Sequence, residues 1–223
     1  MAFKFFCSSG RFTKTSSAVA AITLALLTVT AARAEPVEIV GFGDSLMAGY
    51  NLAPGESFPE RLEDALKAEG YDVTVANAGV SGDTTSGGLS RLEWSVPESA
   101  DIVILELGAN DMLRGIPPAS TEDNLDRMVA KLDERGQRVI LAGMVAAPNL
   151  GKDYATAFNP IYETLAEKYE LTLIPFFLDG VAAEPALLLD DGMHPNAEGV
   201  QRMVERMLPT FRKALNEHRE EGA

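Results

Sequence analysis

The sequence predicts an α/β protein built on a parallel sheet with helices on both faces. Three observations lead there. From residue 37 onward, short apolar or alternating segments take turns with helix-period segments, and no two strands follow one another. Residues 101–107 (Asp-Ile-Val-Ile-Leu-Glu-Leu) form a nearly unbroken apolar run, as expected of a central strand covered on both faces. Residues 35–223 are long enough to bury roughly 70% of their unfolded surface, which suffices for one self-sufficient core. Right-handed crossovers between the strands follow from the alternation.

Each element has its own justification. Residues 37–43 are a short apolar strand closing in glycines. From Phe58 to Glu69, the spacing of Leu62, Ala65 and Leu66 is helical, and Gly70 stops the helix. Residues 71–75 alternate and carry β-branched side chains, so they are read as a strand. Thr84 to about Trp94 reads as helix, and 101–107 as the third strand. Ser120 or Thr121 is expected to cap a helix that aligns Leu125, Met128, Val129 and Leu132 and ends at Gly136. Residues 138–142 form the fourth strand, 155–169 a single helix and 171–174 the fifth strand. Asn196 caps a last helix, which Pro209 is expected to bend or break.

The first 34 residues read as a leader rather than as fold. Lys4, Arg11 and Lys14 give a basic start, residues 18–32 are uncharged and mostly apolar, and Ala32-Arg33-Ala34 is an A-x-A cleavage pattern before Glu35-Pro36. That order is a secretory signal peptide, and the uncharged stretch falls short of the roughly 20 residues a spanning helix needs. A membrane anchor is the competing reading; cleavage would leave no stable membrane insertion. The expected organisation is a signal peptide at 1–34 and one domain at 35–223, exported to the periplasm or secreted. Removing 1–34 takes away Lys4, Arg11, Lys14 and Arg33 and no acid, moving the net charge from -14 to -18. It also removes Cys7, the one cysteine. So acidic a chain argues against nucleic acid as partner, and one cysteine excludes a disulfide scaffold or a Cys-based zinc site.

In parallel α/β sheets ligands bind at the carboxyl ends of the strands. Four segments sit there: 43–46, 77–83, 108–111 and 191–195. Ser45, after a tight glycine turn, can present a nucleophilic hydroxyl and its own N–H to the same space. The ordinary reading is a helix cap, and caps are far commoner than nucleophiles. His194 is the histidine available as a base, because His218 lies in the charged tail. Asp191, three residues earlier, can hold its Nδ1–H across a tight turn and leave Nε2 for a serine hydroxyl. A loop histidine before a proline is the plain alternative. The Asn110 amide could donate to an oxyanion, and the Gly79 N–H could add a second donor, although both residue types are common in turns. Four strand ends bearing complementary chemistry make the plain readings jointly hard to sustain.

Gly43-Asp44-Ser45-Leu46, Gly79, Gly108-x-Asn110-Asp111 and Asp191-x-x-His194 resemble, in order, the four blocks of the SGNH (GDSL) hydrolase superfamily. The wording at 43–50, 81–84, 106–115 and 190–196 is similar to the bacterial periplasmic arylesterase, acyl-CoA thioesterase I and lysophospholipase L1 subfamily. The resemblance implies a three-layer α/β/α, flavodoxin-like fold with a five-stranded parallel sheet. It implies Ser45 as nucleophile, His194 as base, Asp191 as its orienter, and an oxyanion hole from Ser45, Gly79 and Asn110. Asp44 and Asp111 match positions that support the loops. The implied activity is hydrolysis of a small ester or acyl substrate, with thioesters and lysophospholipids as further possibilities, and without metal or cofactor. Met112, Leu113, Met144 and Leu150 are candidates for an acyl pocket, or else core residues.

Rival readings are weaker. An α/β-hydrolase lacks its Gly-x-Ser-x-Gly elbow here, and a dinucleotide fingerprint fails at Leu46 and is opposed by Asp44. A carbohydrate O-deacetylase on the same fold would need an open polar groove. A catalytically silent exported binding module would hold esters without turning them over.

Overall fold

The computed structural model describes residues 1–5 and 35–221. Most of the expected leader, 6–34, with its cleavage motif, lies outside the described residues. The compact unit that carries the fold begins at Glu35.

Five strands make one all-parallel sheet: β1 (Val37–Gly43), β2 (Val73–Gly79), β3 (Ile102–Glu106), β4 (Arg138–Ala142) and β5 (Thr172–Ile174). Their order is β2-β1-β3-β4-β5, the flavodoxin-like order, in which the direction of winding reverses between β1 and β3. The helices are α1 (Ser45–Ala48), α2 (Phe58–Ala68), α3 (Thr85–Ser95), α4 (Ala109–Leu113), α5 (Pro118–Glu134), α6 (Lys152–Phe158), α7 (Ile161–Tyr169) and α8 (Ala197–Glu221). They cover both faces. Helices α2 and α8 pack together on one, and α5 packs with α3, α6 and α7 on the other. All five β3 residues are buried, so the apolar run does mark the sheet centre. Its one polar member, Glu106, is completely enclosed. Phe58, Phe177 and Phe211 fill the layer beneath α2 and α8, with the Phe58 and Phe177 rings meeting edge-on at 4.8 Å.

Four elements differ from the sequence reading, each for a local reason. Strand β2 starts later and runs further than 71–75. It pairs with β1 residue for residue from Val37↔Val73 to Gly43↔Gly79, so backbone pairing carries it beyond its apolar alternation. Helix α5 begins at Pro118, whose missing N–H is harmless in a first turn, so Ser120 and Thr121 lie inside it rather than capping it. Residues 155–169 form two helices parted at Asn159-Pro160, because proline cannot donate within a helix. Conversely, Pro209 does not break α8. Met203, Val204 and Met207 before it and Phe211, Ala214 and Leu215 after it bury one continuous face. Asn196 caps α8 as read, its Oδ1 accepting from Gly199 N–H, and Thr84, read as the start of a helix, caps α3 by accepting from Gly87 N–H. Among the described residues, no helix is long and apolar enough to cross a membrane.

At the end of β2, Gly79 lies so close to α1 that an added Cβ would sit 2.3 Å from the Ala48 nitrogen and 2.9 Å from the Asp44 carbonyl oxygen. Backbone cannot yield as a flexible side chain can. Gly79→Ala is therefore expected to lower unfolding free energy by about 1–3 kcal/mol, read as a reduced urea midpoint at unchanged slope.

Candidate active site

A cavity of about 460 Å³ opens at the carboxyl ends of the strands. Segments following all five contribute to its wall: Asp44–Leu46 and Tyr50 after β1, Ser81 and Gly82 after β2, and Ala109–Leu113 after β3. Met144, Val145 and Ala147 follow β4, and Phe176, Leu178 and Leu188 come after β5. Gly192, Met193 and His194 close the rim.

Ser45 opens the one-turn helix α1, which Asp44 caps through Oδ1, accepting from Leu46 N–H at 3.0 Å. Its Oγ lies 2.8 Å from His194 Nε2. His194 Nδ1 lies 2.7 Å from Asp191 Oδ2. The other Asp191 oxygen accepts from the backbone N–H of Met193 at 2.9 Å and of His194 at 3.0 Å. These backbone bonds come first, and the imidazole second, in holding the Asp191 carboxyl down at about 2. An anion beside Nδ1 keeps the proton there and leaves Nε2 as the acceptor for the serine hydroxyl. The turn itself is pinned by the Leu188↔Pro195 bridge and by Leu189 N–H donating to the His194 carbonyl at 2.8 Å. The i, i+3 facing expected for Asp191 and His194 is thus present, and Ser45 is brought to them from the far end of the chain.

Asn110, second residue of α4, lines the cavity and donates one amide hydrogen to Asp44 Oδ2 at 2.8 Å. Asp44 is fully buried, and desolvation raises its pKa to about 6 against the pull of its hydrogen bonds to Leu46 and Asn110. Behind it, Glu106 Oε2 accepts from Asp44 N–H at 3.2 Å, while Glu106 Oε1 has no partner among the described residues. Burial, reinforced by Asp44, pushes the Glu106 carboxyl well above the usual range. Asp111, also buried, accepts from Thr85 N–H at 2.8 Å and from the Thr85 and Thr121 hydroxyls, tying α4 to α3 and α5.

Two expected site residues are placed elsewhere. Gly79 does not line the cavity. It is the last residue of β2, and its N–H is taken by Asn77 Oδ1 at 3.0 Å. Gly82, three residues on, does line it, with φ +80°, a conformation that favours glycine. Leu150 ends a 3₁₀ turn (Pro148–Leu150) and packs against the core, whereas Met112, Leu113 and Met144 face the cavity as expected. One neighbour of the histidine was not anticipated: the Tyr50 ring, 4.5 Å from the imidazole and tilted 36° to it. Among the described residues, no three His, Cys, Asp or Glu side chains gather as a metal site would require.

The Asp44 shift has a consequence for stability. Its folded pKa, about 6, lies above the unfolded value of 3.8. The native state is therefore favoured while Asp44 is protonated and loses that advantage as pH rises through about 6. Two units correspond to about 3 kcal/mol. The unfolding free energy of Asp44→Asn relative to the natural protein is expected to rise by about that much between about pH 3.5 and 7.5, in parallel urea titrations. A flat difference would show that Asp44 titrates normally.

The model of the GDSL-like Lipase/Acylhydrolase family matches residues 42–202, a span that takes in Ser45, Asn110, Asp191 and His194. An arylesterase of Vibrio mimicus is 41% identical over 178 residues, which is 79% of this chain and 89% of that protein. The Escherichia coli K12 protein called thioesterase 1/protease 1/lysophospholipase L1 is 34% identical over 194 residues, covering 86% of this chain and 91% of its own. The crystal structure of AlinE4, described as an SGNH-hydrolase family esterase, superposes with a TM-score of 0.69 at 46% identity, over 82% of this chain and 98% of that one. By its sequence, its sheet order and the residues gathered at the strand ends, the chain belongs to the GDSL-like Lipase/Acylhydrolase family.

Proposed function

We propose that the protein is a serine esterase that hydrolyses carboxylic esters of apolar acyl groups through an acyl-enzyme on Ser45. The observation that carries this reading is the continuous Ser45–His194–Asp191 hydrogen-bonded line at the wall of an apolar cavity. His194 Nε2 takes the Ser45 proton as Oγ attacks the ester carbonyl, and Asp191 stabilises the imidazolium that results. The tetrahedral oxyanion is held by the Ser45 N–H, which as a first helical residue has no intrahelical acceptor, and by the second amide hydrogen of Asn110. Gly82, rather than Gly79, is the reading the cavity wall supports for the third donor. His194 then protonates the departing alkoxide. Water attacks the acyl-enzyme with the same histidine as base, and Ser45 is released. The lining by Leu46, Met112, Leu113, Met144, Phe176 and Leu178 supports an acyl chain over a sugar. The named relatives support extending the reading to thioesters and lysophospholipids.

Residues 1–34 are proposed as a leader removed on export to the periplasm, supported by the basic, apolar and A-x-A order and by the compact unit beginning at Glu35. Expressed at full length in a Gram-negative host, the protein should be recovered from the periplasmic fraction with Glu35 at its N-terminus, by intact mass. An uncleaved, membrane-retained chain would overturn this.

Residues 35–223 should hydrolyse p-nitrophenyl esters from acetyl through palmitoyl with an optimum set by the cavity. Ser45→Ala is expected to lower kcat/KM at least ~10⁴-fold, and Asp191→Asn ~10²–10⁴-fold with the fold unchanged. Turnover surviving in Ser45→Ala would remove the nucleophile assignment.

A further inference from the structure

Arg91 takes no part in the reaction proposed above, yet its position is unusual. It lies on α3, its side chain is only 7% exposed, and its guanidinium carbon stacks 4.0 Å from the centre of the Phe42 ring. Its donors diverge to three acceptors. Nε donates to Asp83 Oδ2 at 2.7 Å, one terminal nitrogen to the Ala78 carbonyl at 2.8 Å, and the other to the Gly43 carbonyl at 2.9 Å. A buried Arg–Asp pair is ordinarily read as a device of stability, and a weak one. Here two of the three bonds go instead to backbone carbonyls at the exits of β1 and β2.

Those acceptors bracket the site. Gly43 immediately precedes Asp44-Ser45. Ala78 and Asp83 stand on either side of residues 79–82, the segment that brings Gly82 to the cavity. One rigid, planar cation therefore fixes both ends of the Gly82 loop and the root of the nucleophile turn to each other. A lysine ammonium, a point charge on a flexible stem, cannot satisfy three acceptors spread around a fork. The loop has two further ties: Val80 N–H donates to the same Gly43 carbonyl at 3.0 Å, and the exposed Arg114 donates to the Gly82 carbonyl at 2.7 Å.

We propose that Arg91 is a positioning residue for the oxyanion-binding side of the site: it sets the spacing between Ser45 and Gly82, and so the strength with which the tetrahedral intermediate is held, without touching substrate. The proposal rests on the reading of Gly82 as a donor. Donors placed in advance act mainly on the transition state, so misplacing one lowers kcat more than it raises KM.

The test compares Arg91→Lys, Asp83→Asn, Asn110→Ala and Val129→Ala with the natural protein, on p-nitrophenyl butyrate and with butylboronic acid. The boronate adds to Ser45 Oγ as a tetrahedral anion, mimicking the intermediate. Val129→Ala, a core truncation under α5, controls for general loss of stability, measured in urea. Arg91→Lys is expected to keep KM within about threefold while kcat falls ~10–100-fold and boronate affinity falls by a like factor. Asp83→Asn, which removes the charge and one acceptor oxygen at one end of the loop but keeps both carbonyl bonds, should show the same pattern more weakly and stands in if Arg91→Lys does not fold. Val129→Ala should leave kcat and boronate affinity unchanged. Arg91→Lys with kcat within about threefold of the natural protein, or with kcat reduced but boronate affinity intact, overturns the proposal. If Asn110→Ala also leaves boronate binding unchanged, the oxyanion-site reading itself fails. If Asn110→Ala weakens it and the Arg91 and Asp83 variants do not, the positioning role alone fails.

Discussion

The Asp44 carboxylate sits where β1 ends and the sheet reverses its winding order, and it is out of contact with water. Such a charge survives only if its oxygens are met, and the partners that meet them define the site. One oxygen accepts from Leu46 N–H and so forms the turn that presents Ser45. The other accepts from the Asn110 amide and so fixes where α4 lies relative to α1. Beneath, Glu106, whose carboxyl is pushed upward by burial and by Asp44, accepts from the Asp44 N–H. The Ser45 turn, the Asn110 amide and the central strand are coupled through one buried carboxylate, and stability is given up at neutral pH for that coupling.

The architecture was legible because its signals are periodic. The unbroken apolar run of β3, the strand–helix alternation and the glycine stops all follow from burial and backbone geometry that the chain states locally. The meeting of Ser45, His194 and Asp191 was legible for a different reason. Asp191 and His194 are close in sequence, and Ser45 belongs with them only through the rule that strand ends converge. What was not legible depended on where an element ends. With β2 ending at Val75, residues 77–83 read as one loop that offers two glycines, Gly79 and Gly82, and nothing in the sequence separates them. Pairing with β1 carries the strand to Gly79, which shifts the loop onward and leaves Gly82 at the cavity. Leu150, read as either pocket or core, packs against the core from the end of a three-residue turn. Tyr50 and Arg91 carried no signal of their own: an exposed ring and a helix arginine look ordinary until their neighbours are known.

The cavity draws its wall from all five strand ends, but unevenly. Ser45, Gly82, Asn110 and His194 come from segments after β1, β2 and β3 and from the turn at 191–194; Leu46, Met112 and Leu113 share two of those segments, and residues after β4 and β5 complete the apolar wall. The segments after β1 and β3 are tied to the buried Asp44 and Asp111 and can change little. Volume-conserving apolar changes after β4 and β5 are tolerated better.

The turn at 188–195 has a kinetic consequence. Asp191 and His194 are held by bonds spanning two or three residues and need little beyond that turn to form. The contact with Ser45 spans 149 residues and closes only once the sheet is assembled and the chain has returned past β5. Closing so long a loop is favourable only after the intervening contacts exist. The Asp191–His194 pair is thus local to one turn, whereas its meeting with Ser45 needs the assembled sheet. Under the proposed chemistry, hydrolytic activity would report assembly of the sheet and not collapse of the chain.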